Sequence, residues 1–362
     1  MYIKPAHIIL MLAALSQGGK GAQLSPDVQT LCDDFWQWRL QDMPEFATFV
    51  GFHAYNDRLD DLSMEAYENR LNKVYEFLGR VDFLAPTLTE HEDIVNMKVL
   101  RDELTTFIEG YQYKNFYLAL NNKEGIQVDL VARTLSWMPL VTVADYNTML
   151  ARLQAVPTQV TQIIQLLSAG VEANITNHEL SMNKVPSQLE EFLVITPEES
   201  PIYKQFFSEF PANFTPDDVA AIQASAKAVI SDSVIPAFEE LHAYVSLQYV
   251  TRPDIAITSL PNGQALYAQI IKFHAGLEKT PEEIQQVGFN EVARIEALMQ
   301  EIVYELGYNM STQNFSNMIL NDPANFYTTE EDLLNGFRYV VYNVTTPAVP
   351  LIFKNIPSAE IM

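Results

Sequence analysis

The side chains here that could do acid–base, metal or thiol work are six histidines, forty-six carboxylates and one cysteine, in 362 residues. The histidines are His7, His53, His91, His178, His242 and His274. A helical zinc site of the H-E-x-x-H type needs two imidazoles one turn apart, so that both reach one ion. His178-Glu179-Leu180-Ser181-Met182 begins like one, but Met182 stands where the second ligand belongs, and a thioether binds zinc poorly. Glu239-Glu240-Leu241-His242 holds one Glu-x-x-His. A di-iron bundle needs two of these and two further glutamates. The plainer reading is an exposed acidic helix face.

Paired acids recur at Asp33-Asp34, Asp60-Asp61, Glu190-Glu191 and Glu330-Glu331. Glycoside hydrolysis needs two carboxyl groups facing one another across a cleft. Neighbouring acids on a helix diverge by about 100° and cannot do this. They read instead as helix starts and solvated faces. No G-x-S-x-G, phosphate-binding loop or G-x-G-x-x-G occurs; Gly18-Gly19-Lys20-Gly21 lacks the hydroxyl residue after its lysine. Dense aromatic clusters, Phe35-Trp36-Gln37-Trp38 and Tyr111-Gln112-Tyr113 with Phe116-Tyr117, read as core between helices. A peptide-binding wall would have the same sequence.

Composition narrows the classes. Twenty-two basic against forty-six acidic residues give a formal charge of −24. Such a surface repels phosphate backbones, so nucleic acid is not expected as a partner. Anionic membranes are disfavoured for the same reason. Hydrophobic residues make up 48% of the chain and charged ones 19%, which suits a large packed core. Cys32 is alone, so neither an internal disulfide nor a thiolate metal cluster can form. Beside Phe35 and Trp36 it reads as a small buried hydrophobe.

The elements that must position any site are helices. Thr196-Pro197-Glu198-Glu199, Thr215-Pro216-Asp217-Asp218 and Thr280-Pro281-Glu282-Glu283 share one helix-start grammar. The threonine hydroxyl caps free amides, proline sits where no amide partner is needed, and the acids meet the positive end of the helix dipole. Thr89 with Glu92 reads as another capping box. Apolar stripes run through Val160, Ile163, Ile164, Leu167 and Val171, and from Ile284 through Ile295, Leu298 and Ile302 to a stop at Gly307. The expected class is therefore mostly α, a multi-helix assembly with little or no β. Helices are expected over 26–46, 63–82, 90–112, 142–153, 157–177, 183–193, 200–209, 216–250, 262–276, 281–306, 310–320 and 329–346. Pro236 should kink the long one. Leu193–Ile195 and Ile255–Ile257 are the best strand candidates. Pro253, Pro261 and Gly263 mark the expected break between a first helical region, 23–252, and a second, 253–362.

Residues 1–22 have the shape of a secretory signal. Lys4 lies in a short polar start, Ile8 to Leu15 is apolar, and a small-residue tract to Ala22 follows. Cleavage after Gly18, Gly21 or Ala22 would release the chain, Ala22 being the poorest fit because Lys20 precedes it. The rival reading is a buried N-terminal helix. Five acceptor sequons fit a secreted or secretory-lumen glycoprotein: Asn174, Asn213, Asn309, Asn314 and Asn343. No later apolar run is long enough to span a membrane.

Several stretches, in order, resemble the domain-of-unknown-function 885 family. They are Phe35-Trp36-Gln37-Trp38 through Pro44-Glu45-Phe46-Ala47-Thr48-Phe49-Val50-Gly51 and Tyr55-Asn56-Asp57-Arg58-Leu59; Asp145-Tyr146 through Arg152-Leu153, Pro157 and Gly170; and Pro261-Asn262-Gly263, Tyr267, His274 and Thr280 through Ile295. The resemblance runs from about residue 30 to the end. It implies a helical fold similar to zinc peptidases with a long substrate cleft. The family's metal motif resembles H-E-x-x-P-G-H and lies C-terminal in its members; no residue here matches it. The resemblance thus implies an N-terminal portion of such a protein, with no cofactor of its own, zinc being expected in full-length relatives. The missing C-terminal part of the same protein and peptides are the expected partners.

The expected function is that of a secreted, peptidase-like protein's N-terminal helical part, inactive alone. Full-length relatives would hydrolyse peptide bonds with zinc-bound water and a glutamate as base. The alternative is a non-enzymatic secreted helical protein that binds peptides or a protein partner. A carboxylate hydrolase unrelated to zinc has only the abundance of acids behind it. Glu291 and Arg294, three apart on a helix, are candidate cleft residues and equally a helix ion pair. Apolar faces near Ile319-Leu320, Val340-Val341 and Pro350–Phe353 are expected to lack partners.

Overall fold

A computed structural model describes residues 24–353 and 356. The expected signal, residues 1–22, lies outside them. Among the described residues the chain is built of helices, with no strand and one isolated bridge, His178 to Arg252. It divides into two compact units between Glu278 and Lys279. The expected boundary at 252–253 falls inside the first unit.

In the first unit, α1 (Pro26–Asp42) ends at Met43, and α2 (Pro44–Phe49) starts at once. One helix over 26–46 is therefore corrected to two. Pro44 drives the residue before it out of helical geometry, and Met43 sits at φ −127°, ψ 80°. Next come α3 (Met64–Leu84) and α4 (His91–Tyr111). Thr89 does not cap α4; Glu90 is its N-cap and makes no side-chain cap bond. Helices α1, α3 and α4 share a core of Val28, Leu31, Phe35, Phe77, Leu100 and their neighbours. The Phe35 and Phe77 rings meet edge to face at 5.3 Å, so this aromatic cluster is core. Cys32 is buried here, a free thiol pushed up to about 11 by desolvation first and then by Asp33 and Asp93.

A turn the sequence did not announce follows: α5 (Ile126–Asp129), running into a wide π-turn at Leu130–Leu135. Then come α6 (Val143–Gln154), α7 (Val156–Glu172), α8 (Glu179–Met182), α9 (Val185–Glu190), α10 (Pro201–Phe206), α11 (Pro216–Val229) and α12 (Ile235–Leu247). They enclose a second core holding Leu153, Val160, Phe207, Ile230, Phe238 and Leu241. Thr215 forms its capping box with Asp218, while Thr196 caps only the single turn Pro197–Glu199. The kink expected at Pro236 takes the form of a π-turn at Ile230–Val234, which separates α11 from α12. Widening the turn removes the clash between the proline ring and the carbonyl four residues back. Gly170 allows the 175 segment to lie against α7; a Cβ there would meet the Ile175 carbonyl oxygen at 2.6 Å.

The strand candidates are corrected: 193–195 is not strand, and 255–257 leads into the turn Ile257–Ser259. Hydrogen bonds fix this segment. His178 Nδ1 accepts the Leu180 amide at 3.0 Å, so its Nε2–H donates to the Pro253 carbonyl at 3.0 Å. Arg252 donates to the carbonyls of Thr176, Asp254 and Ala256. The unit closes with α13 (Gly263–Ala275), tied to α4 by Lys272 and Glu109 at 2.9 Å.

The second unit holds α14 (Pro281–Glu305), α15 (Thr312–Leu320), α16 (Glu330–Tyr339) and α17 (Thr346–Ile352). Thr280 and Glu283 form the expected box at the start of α14. Gly307, at φ +86°, follows its end. Gln300 holds α15 by bonds to Met310 and Thr312. A π-turn at Val340–Thr345 joins α16 to α17 and again precedes a proline by one residue. At 1.5 Å per residue α14 is about 37 Å long, yet Val303 is its one buried residue.

Candidate functional site

The densest meeting of ionisable groups is buried in the first unit. Arginines occupy apolar-stripe positions on three helices. Arg39 follows Val28, Leu31, Cys32 and Phe35 on α1; Arg70 precedes Val74, Phe77 and Val81 on α3; Arg152 lies between Met149 and Val156. Helical spacing turns each inward, and a buried cation needs partners. Arg152 has no exposed surface. Its guanidinium donates to Thr48 Oγ1 at 2.8 Å, the Tyr55 carbonyl at 3.2 Å and the Thr134 carbonyl at 3.3 Å. Arg70 Nε reaches Asp42 at 2.8 Å, and its Nη2 reaches the Asp61 carbonyl at 2.6 Å.

Among these cations lie Glu45 and Asp60. Asp60 Oδ1 accepts the Glu45 amide at 3.0 Å, and Glu45 Oε1 accepts the Asp60 amide at 3.2 Å. Gln159 donates to Glu45 at 2.7 Å and Thr134 donates at 3.2 Å. Burial, then the charge of Glu45, pushes the Asp60 carboxyl up to about 8. Desolvation draws Arg39 and Arg152 down to about 10, so both stay cationic at neutral pH.

A raised carboxyl beside a second carboxylate is what acid–base chemistry requires. Here, however, Asp60 is 7% exposed, and the carboxylate of half-buried Glu45 is already engaged by Gln159 and Thr134, so the raised carboxyl does not face an open cleft. The cluster is a keystone that ties α1, α2, α3, α6 and α7 to the 55–61 loop. Reading Asp60-Asp61 as a solvated pair is thus corrected for Asp60. Asp61 caps Ser63 from the surface. The other pairs are exposed as expected.

The five sequon asparagines are all exposed. Asn174 sits at φ +58° after α7, and Asn213 donates to the Val141 carbonyl at 3.3 Å. Glu291 and Arg294 form an exposed ion pair on α14 at 2.7 Å. His53, His91 and His274 are exposed and scattered, and half-buried His242 meets Glu190 at 3.3 Å. No three His, Cys, Asp or Glu among the described residues group so as to hold a metal ion. An open depression of about 490 Å³ between α1 and α3, lined by Asp27, Glu76, Arg80 and Phe83, brings no nucleophile to a base. No helix among the described residues is long and apolar enough to cross a membrane.

The surface of the second unit stands out more. Ile284, Val287, Ile295, Leu298 and Ile302 on α14 are 40–55% exposed. Phe337, Tyr339, Leu351 and Phe353 further along are 59–86% exposed. The faces expected to lack partners, at Leu320 (65%), Val340 (49%) and Leu351, are uncovered.

This all-helical architecture is a known fold. The chain matches a crystal structure described as "the putative lipoprotein from Colwellia psychrerythraea" with a TM-score of 0.78 at 18% identity, over 92% of this chain and 61% of that one. The chain thus spans less than two thirds of that protein's length. The family model for DUF885, "Bacterial protein of unknown function", matches residues 44–361, and the chain belongs to that family. No curated protein matches it. The stretches that suggested the family contribute Glu45, Thr48, Tyr55, Asn56 and Arg152 to the buried cluster or its rim.

Proposed function

We propose that this chain is the non-catalytic, N-terminal helical part of a secreted, peptidase-like protein, and that it presents the second unit to a C-terminal part of the same polypeptide. One observation carries the reading: an amphipathic helix of 25 residues with a single buried side chain. A helix apolar along one side is stable in water when that side is covered. The solved structure it matches extends well beyond the matched length, which supports a cover of that origin. Hydrolysis would then belong to the covering part, where a zinc ion would activate water. Glu291 and Arg294, on the uncovered helix, are the polar candidates for a cleft formed with it. Export fits the signal-like start and the name of the matched lipoprotein, and the exposed sequon asparagines would carry glycans.

The purified chain is expected to bind 8-anilinonaphthalene-1-sulfonate in its native state and to cleave peptide substrates no faster than buffer, with or without added zinc. A dye-silent, monomeric, cooperatively melting chain overturns the reading of the face. Chelator-sensitive peptidase activity overturns the reading of the chain as non-catalytic. The second reading, a binding protein in its own right, is favoured by the same exposed face; saturable peptide binding with no longer polypeptide made in the source cells would select it.

A further inference from the structure

We infer that the occupant of the α14 face is a helical segment with one apolar side and lysines or arginines along its margin, supplied by the continuation of the same polypeptide. This rests on the reading above and adds the chemistry of the partner. Residues 279–353 hold ten acidic and three basic side chains, a balance of −7. All three bases are already engaged: Lys279 with Glu283, Arg294 with Glu291 and Arg338 with Glu331. Helical spacing sets Glu301 and Glu305 beside Arg294 along one margin of the stripe through Ile295, Leu298 and Ile302. Neither glutamate has an ion-pair partner among the described residues. The face therefore offers apolar area flanked by uncompensated negative charge.

That charge discriminates among occupants. A second copy would set like margins against each other, and like charges across an interface cost affinity. An anionic membrane is repelled in the same way. A basic-edged helix gains the apolar contact and neutralises Glu301 and Glu305 together. The solved structure matched here has chain beyond the shared region to supply such a segment.

The test titrates the full chain with two fluorescent 21-residue amphipathic helices, one of leucine and lysine and one of leucine and glutamate. The lysine peptide should bind saturably and weaken as salt rises from 50 to 300 mM. The glutamate peptide should not bind at a hundredfold higher concentration. The double substitution Ile295→Ser/Leu298→Ser keeps the net charge and should weaken lysine-peptide binding by about tenfold or more, since it removes two apolar contacts. Glu301→Gln/Glu305→Gln should weaken it and flatten its salt dependence. Equal binding of both peptides, no binding of either, or lysine-peptide binding indifferent to Ile295→Ser/Leu298→Ser overturns the inference. So does a concentration-dependent dimer abolished by those substitutions. Native-state dye binding keeps the two claims apart: dye bound but lysine peptide refused refutes the basic partner alone, whereas no dye bound refutes the uncovered face.

Discussion

Arg152→Met is expected to destabilise the first unit by about 3–5 kcal/mol, the usual cost of removing one side of a buried ionic network. Arg152 is fully buried, and its guanidinium spans three elements through Thr48, Tyr55 and Thr134. Methionine fills similar volume but leaves those acceptors unpaired and removes a cation from beside Glu45 and Asp60. Arg152→Lys should recover little, because one ammonium cannot reproduce a planar fork. Urea unfolding followed by tryptophan fluorescence measures both. A loss under about 1 kcal/mol for the methionine variant would mean that the cluster is not a keystone.

The second large effect is on pH. Asp60 titrates at about 8 in the folded chain, against an ordinary value of 3.8. Between these values the folded state holds a proton that the unfolded state has released. Its contribution to stability is therefore fully present below about pH 4 and is lost as pH rises through 8. The slope is at most about 1.4 kcal/mol per pH unit, less where Glu45 shares the proton. The geometry agrees in direction: Asp60 is buried against Glu45, and a proton on Asp60 relieves the repulsion between the two carboxylates. Asp60→Asn should flatten the stability profile between pH 5 and 8 and leave the fold intact. An unchanged slope in that variant would assign the dependence to other groups.

What the sequence disclosed follows physical range. Caps and stripes are local, so helix starts at Pro216 and Pro281, the stop at Gly307 and the break at Pro236 were readable within a few residues. The split at Met43 was readable too, had Pro44 been given its full weight. The buried cluster was not, because Glu45 and Asp60 are set against Arg39, Arg70 and Arg152 by packing across more than a hundred residues. One signal did point to it. Arg39, Arg70 and Arg152 each stand where helical spacing puts a core residue, and three inward cations call for carboxylates. The adjacent Asp60-Asp61 concealed the answer, since the loop turns one inward and the other out. The uncovered faces at Leu320, Val340 and Leu351 were expected from the apolar runs there together with the family resemblance, which implied a missing cover; the family match and the helical fold agree with the sequence reading.

The most direct measurement is amide hydrogen exchange on the purified 362-residue chain, resolved by peptide. Residues 26–275 should include slowly exchanging cores at Phe35, Phe77, Leu153 and Phe238, while 281–352 exchange orders of magnitude faster because their apolar faces have no cover. Protection of α14 in the isolated monomer equal to that of α7 would contradict the account.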